Sequence, residues 1–230
     1  MKSIAPKYSG LLALGCLLGL GGCAAPSSLP EVTSDGLARV KDVEADAVYL
    51  LPGAQLSGYT KLALLEPQLA FRKDWLSNTN SSRRLNRITD SDVQKMLATG
   101  KELLVEEFTK ELTKGGYTLV KEAGADVLAV KIAVLNLDVY APDPDNMAGA
   151  WTKTYTNGSG EATLAVELFD SVTGQLLVRA FDHKSNADGG YSWRIPRTQM
   201  SNRNDARWAF ESWAEMLVKG LNRAKAVKKP

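Results

Sequence analysis

The sequence predicts an α+β domain: a mostly antiparallel sheet with two main helices packed on one face. Three observations carry the prediction. The apolar periodicity runs strand, helix, several strands with a hairpin, helix. Ala125 to Tyr140 is long, rich in β-branched residues and apolar on both faces in its middle, which suits a central strand covered on both sides. Asp170 to Gly174 joins two alternating runs with the residues a short hairpin loop needs.

The chain opens on Lys2 and Lys7, then an apolar run from Leu11 to Leu20, then Gly21, Gly22 and Cys23. A positive start, a short apolar centre and small residues before a cut are the parts of a secretory signal. The run is shorter than the roughly 20 apolar residues that span a bilayer. With a cysteine directly after the small residues, Leu20 to Cys23 resembles a bacterial lipobox, although Gly21 is a less usual choice there. The resemblance implies that residues 1–22 are cut away and that Cys23 is acylated on its sulfur and on its new amine. Acyl chains contribute about 0.8 kcal/mol per buried CH₂, so such an anchor holds without a transmembrane helix. In proteins of this class an Asp after the cysteine implies retention at the inner membrane. Ala24 stands there instead, which points to the outer membrane with the domain in the periplasm. Residues 24–30 are small, polar and Pro-rich, as a tether should be.

Losing Lys2 and Lys7 takes the 28 basic residues to 26, against 26 acidic ones. The mature chain is formally neutral, so charge gives no case for a nucleic-acid partner. Of the two cysteines, Cys16 leaves with the signal and Cys23 is lipidated. The domain is left with no thiol, which excludes thiolate catalysis and Cys-ligated metals. No cofactor is expected.

Residues 23–58 read as tether and irregular lead-in, with a short helix around Val40 to Val48. The folded domain then spans 59–230. Tyr59 to Phe71 is the first strand signal; Leu62 and Leu64 share a face, and Pro67 argues for an edge or a bulge. Trp75 to Arg87 is polar and reads as a loop. Ser91 and Gln94 form a capping-box pattern ahead of Val93, Met96, Leu97, Gly100, Leu104 and Phe108 at helical spacing. Gly115 and Gly116 end that helix. Tyr117 to Lys121, Ala125 to Tyr140 and Trp151 to Tyr155 read as strands. Gly160 to Phe169 and Gln175 to His183 read as a hairpin. Ser185 to Asn202 is a loop. The last helix runs from about Arg203 to Ala224 with Phe210, Trp213, Ala214, Leu217 and Leu221 buried, and Lys219, Arg223 and Lys225 complement its dipole.

A lipobox, a first strand reading YTKLALLEP, a helix, a long apolar strand, the hairpin Glu167 to Leu177 (ELFDSVTGQLL) and a closing helix rich in Trp and Phe together resemble an uncharacterised family of bacterial envelope lipoproteins. The resemblance covers nearly the whole mature chain. It implies a small α+β periplasmic domain and brings no catalytic residues.

Candidate chemistry is sparse. His183 is the only histidine. A hydrolase would need a Ser and an acid beside it, and Asp182 points to the opposite face if the strand continues. Asp143, Asp145 and Asn146 offer oxygen ligands but no EF-hand pattern. Arg83, Arg84 and Arg87 form one basic cluster. Arg194, Arg197, Arg203 and Arg207, interleaved with Tyr191, Trp193 and Trp208, form the better candidate for a partner surface, fitting a glycan, lipid head groups or an envelope protein. Trp208 falls about 160° from Phe210 around the helix. It is either covered by the preceding loop, against Trp193 or Ile195, or exposed beside Arg203 and Arg207. The expected function is that of a binding protein, an accessory or scaffolding subunit rather than an enzyme. The alternatives are an envelope hydrolase centred on His183 and a subunit of an oligomeric export assembly.

Overall fold

The computed structural model describes residues 29–81, 83, 87–142, 154–156, 158–185 and 195–226. Within them run β1 (Ala38–Val40), β2 (Ala47–Leu50), β3 (Lys61–Leu64), β4 (Gln68–Phe71), α1 (Trp75–Ser81), α2 (Asp90–Lys114), β5 (Thr118–Leu119), β6 (Val127–Val139), β7 (Thr154–Thr156), β8 (Gly160–Asp170), β9 (Leu176–Ser185), β10 (Ile195–Arg197) and α3 (Gln199–Ala226). The main sheet has eight strands in the order β1-β2-β9-β8-β6-β3-β5, and β4 also pairs with β6. The pairs from β1 to β6 are antiparallel. Those of β3 with β5 and β6, and of β4 with β6, are parallel. Parallel neighbours need a long crossover, and α2 supplies it. The fold is α+β, as the sequence predicts.

The hydrophobic core lies between one sheet face and the two long helices. Leu62, Leu128, Val130, Ile132, Val134, Leu164, Val166 and Leu168 meet Leu104, Phe108 and Leu112 of α2 and Phe210, Trp213, Ala214 and Leu221 of α3. Each fully buried side chain of this kind contributes roughly 1.5–3 kcal/mol. The burial of β6 alternates, with Val130, Ile132 and Val134 facing the helices and Ala129, Lys131 and Ala133 half-buried on the other face. The cover expected on both sides of this strand is therefore complete on one side only. The far face carries an ionic row in which Glu167 pairs with Lys131 at 3.3 Å and with Arg179 at 2.9 Å.

Several local expectations change. The helix expected around Val40 to Val48 is absent; β1 and β2 lie there instead and extend the sheet through β9. Ala47 and Tyr49, each 2 % exposed, pack with Leu37 into a small cluster of their own. Burial at every second residue is worth more to this stretch than its weak helical propensity. The single strand expected over Tyr59 to Phe71 is two, broken at Leu65 to Pro67, because proline has no N–H to give a ladder. The expected loop after Trp75 begins with α1. Trp75 is buried, stacks on Phe71 at 4.0 Å and donates its indole N–H to the Val139 carbonyl.

The capping box of α2 is Thr89 with Asp92, two residues ahead of the Ser91 and Gln94 pattern. Thr89 Oγ1 accepts from Asp92 N, and Asp92 Oδ2 accepts from Thr89 N at 2.9 Å. A carboxylate one methylene shorter than glutamate closes the box equally well. The last helix starts at Gln199, before the expected Arg203. Thr198 and Ser201 cap it reciprocally, each side chain accepting from the other's backbone N–H. The hairpin forms where expected: Asp170 Oδ1 accepts from the backbone of Val172 and Thr173, and Gly174 has φ +71°.

Candidate functional site

One end of the sheet is shaped by an irregularity. Between Leu135 and Asp138 the β6–β8 register shifts, and Asn136 takes φ +53°, a left-handed conformation that asparagine tolerates better than most residues. Opposite, Gly160 has φ +146° and passes so close to β6 that a Cβ there would lie 2.0 Å from the Asp138 carbonyl oxygen. The bulge turns Leu137, Asp138 and Val139 toward the first half of α3. Between them is a cavity of about 380 Å³, walled by Val134, Leu137, Ala162, Phe210 and Trp213 with Asp138, Glu161, Asn202 and Asp205 at its polar side, and Trp208 lines it too.

Trp208 is 64 % exposed, against 1 % for Trp213 on the buried stripe of the same helix. Of the two placements open to it, the structure has the exposed one. Trp213 donates its indole N–H to Asp182 Oδ2 at 2.7 Å, which satisfies a carboxylate that is itself buried.

The described arginines of the cluster are placed differently from one another. Arg197 is 2 % exposed; its Nε donates to Thr156 Oγ1 and its Nη1 pairs with Asp205, which ties β7 and β10 to α3. Its Nη2 is buried without a partner among the described residues. Arg207 reaches across to α2, where its Nε meets the buried Glu107 at 2.7 Å and its Nη2 lies 3.5 Å from Glu106. Arg203 is exposed. Arg194, with Tyr191 and Trp193, lies outside the described residues, as do Arg84, Asp143, Asp145 and Asn146. Of the other basic cluster, Arg83 donates to the Pro142 carbonyl and Arg87 is exposed.

Arg207 belongs to a seam of charges between the long helices. Glu107 and Glu111 have side chains only 3 % exposed. Lys110 bridges Glu107 at 3.1 Å and Glu211 at 2.9 Å, and Lys114 bridges Glu111 at 2.8 Å. Hydrogen bonds that Lys110 donates to the Glu211 and Glu107 carboxylates raise it above its ordinary range, and the same Lys110 contact lowers Glu211. At 100° per residue Glu107 and Glu111 fall inside the stripe of Val93, Leu97, Gly100, Leu104 and Phe108, so the spacing places them on the covered face, but nothing in the sequence shows which cations meet them there.

His183 lies at the cavity edge on β9, on the face opposite to Asp182. Its Nδ1 is 3.3 Å from Thr163 Oγ1, and its Nε2 is 4.0 Å from Glu161. Neither ring partner is a serine, and the imidazole is about half exposed. Among the described residues no three His, Cys, Asp or Glu side chains gather as metal ligands. Nor, among them, is any helix long and apolar enough to cross a membrane.

Residues 31–217 match the family described as protein of unknown function, DUF3313. The chain belongs to that family. This DUF3313 protein is also similar in structure to a Xanthomonas campestris protein of the DUF330 family, with 11 % identity, a TM-score of 0.42 and coverage of 79 % of this chain and 92 % of that one. For the PelC dodecamer of Paraburkholderia phytofirmans the values are 9 %, 0.35, 74 % and 95 %. For a minor lipoprotein of Acinetobacter baumannii they are 14 %, 0.32, 72 % and 95 %. Likeness at this level carries no functional argument. No curated protein matches the chain in sequence.

Proposed function

We propose that this DUF3313 protein is an envelope protein held at the outer membrane by acyl chains on Cys23, with its domain in the periplasm, and that it acts by binding as an accessory or scaffolding subunit. The anchor rests on Lys2, Lys7, the apolar run and Leu20 to Cys23. The observation that carries the binding role is Trp208: a tryptophan 64 % exposed beside a cavity of about 380 Å³. Exposing so large an aromatic surface to water is unfavourable in isolation, and tryptophan is the residue type most enriched in binding hot spots. The partner surface first drawn from the arginines reduces to this point, since Arg197 is enclosed and Arg207 is engaged by α2. Binding is favoured over hydrolysis because His183 contacts Thr163 and Glu161 instead of a serine.

The test is a photo-crosslinking residue placed at position 208 in the full-length protein in intact envelopes. The expected result is a specific adduct that vanishes when the same residue replaces the exposed Val172, in the turn at the other end of β8 from the cavity. Adducts identical from both positions would remove the cavity mouth as a binding site.

A further inference from the structure

We infer that the cavity beside Trp208 is a subsite for a neutral saccharide; the inference rests on the reading of that cavity as the binding site. The lysine and arginines around it are already matched. Asp138 pairs with Arg72 at 2.9 Å, Asp205 with Arg197, and Lys184 lies 3.9 Å from Asp182 and donates to Ser212. Glu161 has only the His183 ring near it, at 4.0 Å. An anionic ligand would give up its hydration and meet no unmatched cation.

The polar wall is left with spare acceptor capacity. Asn202 donates its Nδ2 to the Ala141 carbonyl at 2.9 Å, which fixes the direction of its amide. Its Oδ1 is buried and has no hydrogen-bond partner among the described residues. A buried acceptor left unmet is costly, and a ligand O–H or N–H relieves it. Asp138, Glu161 and Asp205 each keep lone pairs beyond their ion pairs. The site therefore calls for a molecule that carries no negative charge and is rich in donors.

Trp208 adds the third requirement, an apolar face to lie against the indole. A pyranose ring meets all three: hydroxyl donors around its edge, no charge, and a C–H face. A peptide fits less well, because its backbone brings a carbonyl acceptor with every N–H, and this wall offers acceptors. The volume of about 380 Å³ falls among small-ligand pockets.

The experiment uses full-length protein extracted in detergent, titrated with the N-acetylglucosamine tetramer and with cellotetraose and read by tryptophan fluorescence. The expected result is a saturable change with at least one of these sugars. Binding should weaken about tenfold in Trp208→Ala and by about fivefold or more in Asn202→Leu, with both variants melting as the wild type does. The two variants are read separately, so that a folding defect in one leaves the other as the test. A tetragalacturonate should bind at least about tenfold more weakly than the neutral sugars. No saturable response to either neutral sugar, or binding untouched by both substitutions, overturns the saccharide assignment. If crosslinking at position 208 still succeeds in that event, the binding site stands without its sugar; if crosslinking fails as well, both readings fall.

Discussion

Asp170 shows what one side chain does in this fold. Hydrogen bonds from the Thr173 backbone, the Tyr59 hydroxyl at 2.7 Å and the Thr173 hydroxyl hold its carboxyl down at about 2, from an ordinary 3.8. The same contact, after burial, pushes the Tyr59 phenol up to about 12. A carboxyl depressed by folding stabilises the folded state fully above its unfolded value, and that contribution disappears as pH falls toward the folded value. The wild type should therefore lose stability between about pH 4 and pH 2, and Asp170→Asn should flatten that limb. Melting temperature against pH tests this; parallel curves for the two proteins would show that Asp170 does not couple to acid unfolding. Gly174 sits in the same turn with φ +71° and open space where a Cβ would go. Gly174→Val should thus cost only the backbone strain, about 1–2 kcal/mol. Gly160→Ala should cost about 3 kcal/mol or more, because its Cβ would collide with the backbone of Asp138. Chemical denaturation of both variants ranks them, and a Gly160→Ala protein as stable as wild type would mean that the bulge relaxes freely.

At the scale of the element, the closing helix separates two tryptophans by their angle about its axis. Trp213→Ala should cost roughly 3–5 kcal/mol, since it empties a core site and strands the Asp182 carboxylate. Trp208→Ala should leave the melt unchanged, because its ring is mostly in water. Equal losses in the two variants would put Trp208 in the core and end its claim to a binding role. The seam between α2 and α3 gives a different expectation. Glu107→Gln removes a buried charge whose partners Arg207 and Lys110 are about half exposed. Those cations can return to water, so the cost should stay near 1–3 kcal/mol, below that of isolating a buried charge. A loss much above this, measured by denaturant titration, would show that the seam is coupled more widely than its pairs. The helix pattern was legible from leucine and phenylalanine spacing. The ion pairs of the seam were not, because Lys110, Lys114 and Arg207 close on two glutamates of the same stripe only when α3 lies over α2.

At the scale of the whole molecule, the anchor and the domain make separable predictions. Cys23→Ser should leave an uncleaved precursor with the domain still folded, and the wild type should partition into the detergent on phase separation. Cleavage of that variant to mature size would overturn the lipid anchor. The last turns of α3 are tied to distant segments: Lys219 meets Glu44 at 3.2 Å and Arg223 donates to the Asp42 carbonyl, both between β1 and β2, and Lys225 lies 4.2 Å over the Tyr117 ring just before β5. These cations do more than complement a helix dipole, and their partners are 175 or more residues away for Lys219 and Arg223.

What the sequence by itself determined is whatever depends on neighbours along the chain. The amphipathic stripe of α2, the β8–β9 hairpin with Gly174, the buried face of α3, and the order of elements that makes the fold α+β all follow from spacing within one element. What only the tertiary structure decided depends on residues far apart in sequence. β1 and β2 are strands because β9 offers them an edge. Tyr59 to Phe71 splits at Pro67 because both halves find places along β6. The cavity exists because a bulge at Asn136, a glycine at 160 and the start of α3 meet at one end of the sheet. Arg197 left the surface, and Trp208 stayed on it, for the same reason: burial is settled by which element covers which, and a one-dimensional pattern records the faces of an element without recording what lies over them.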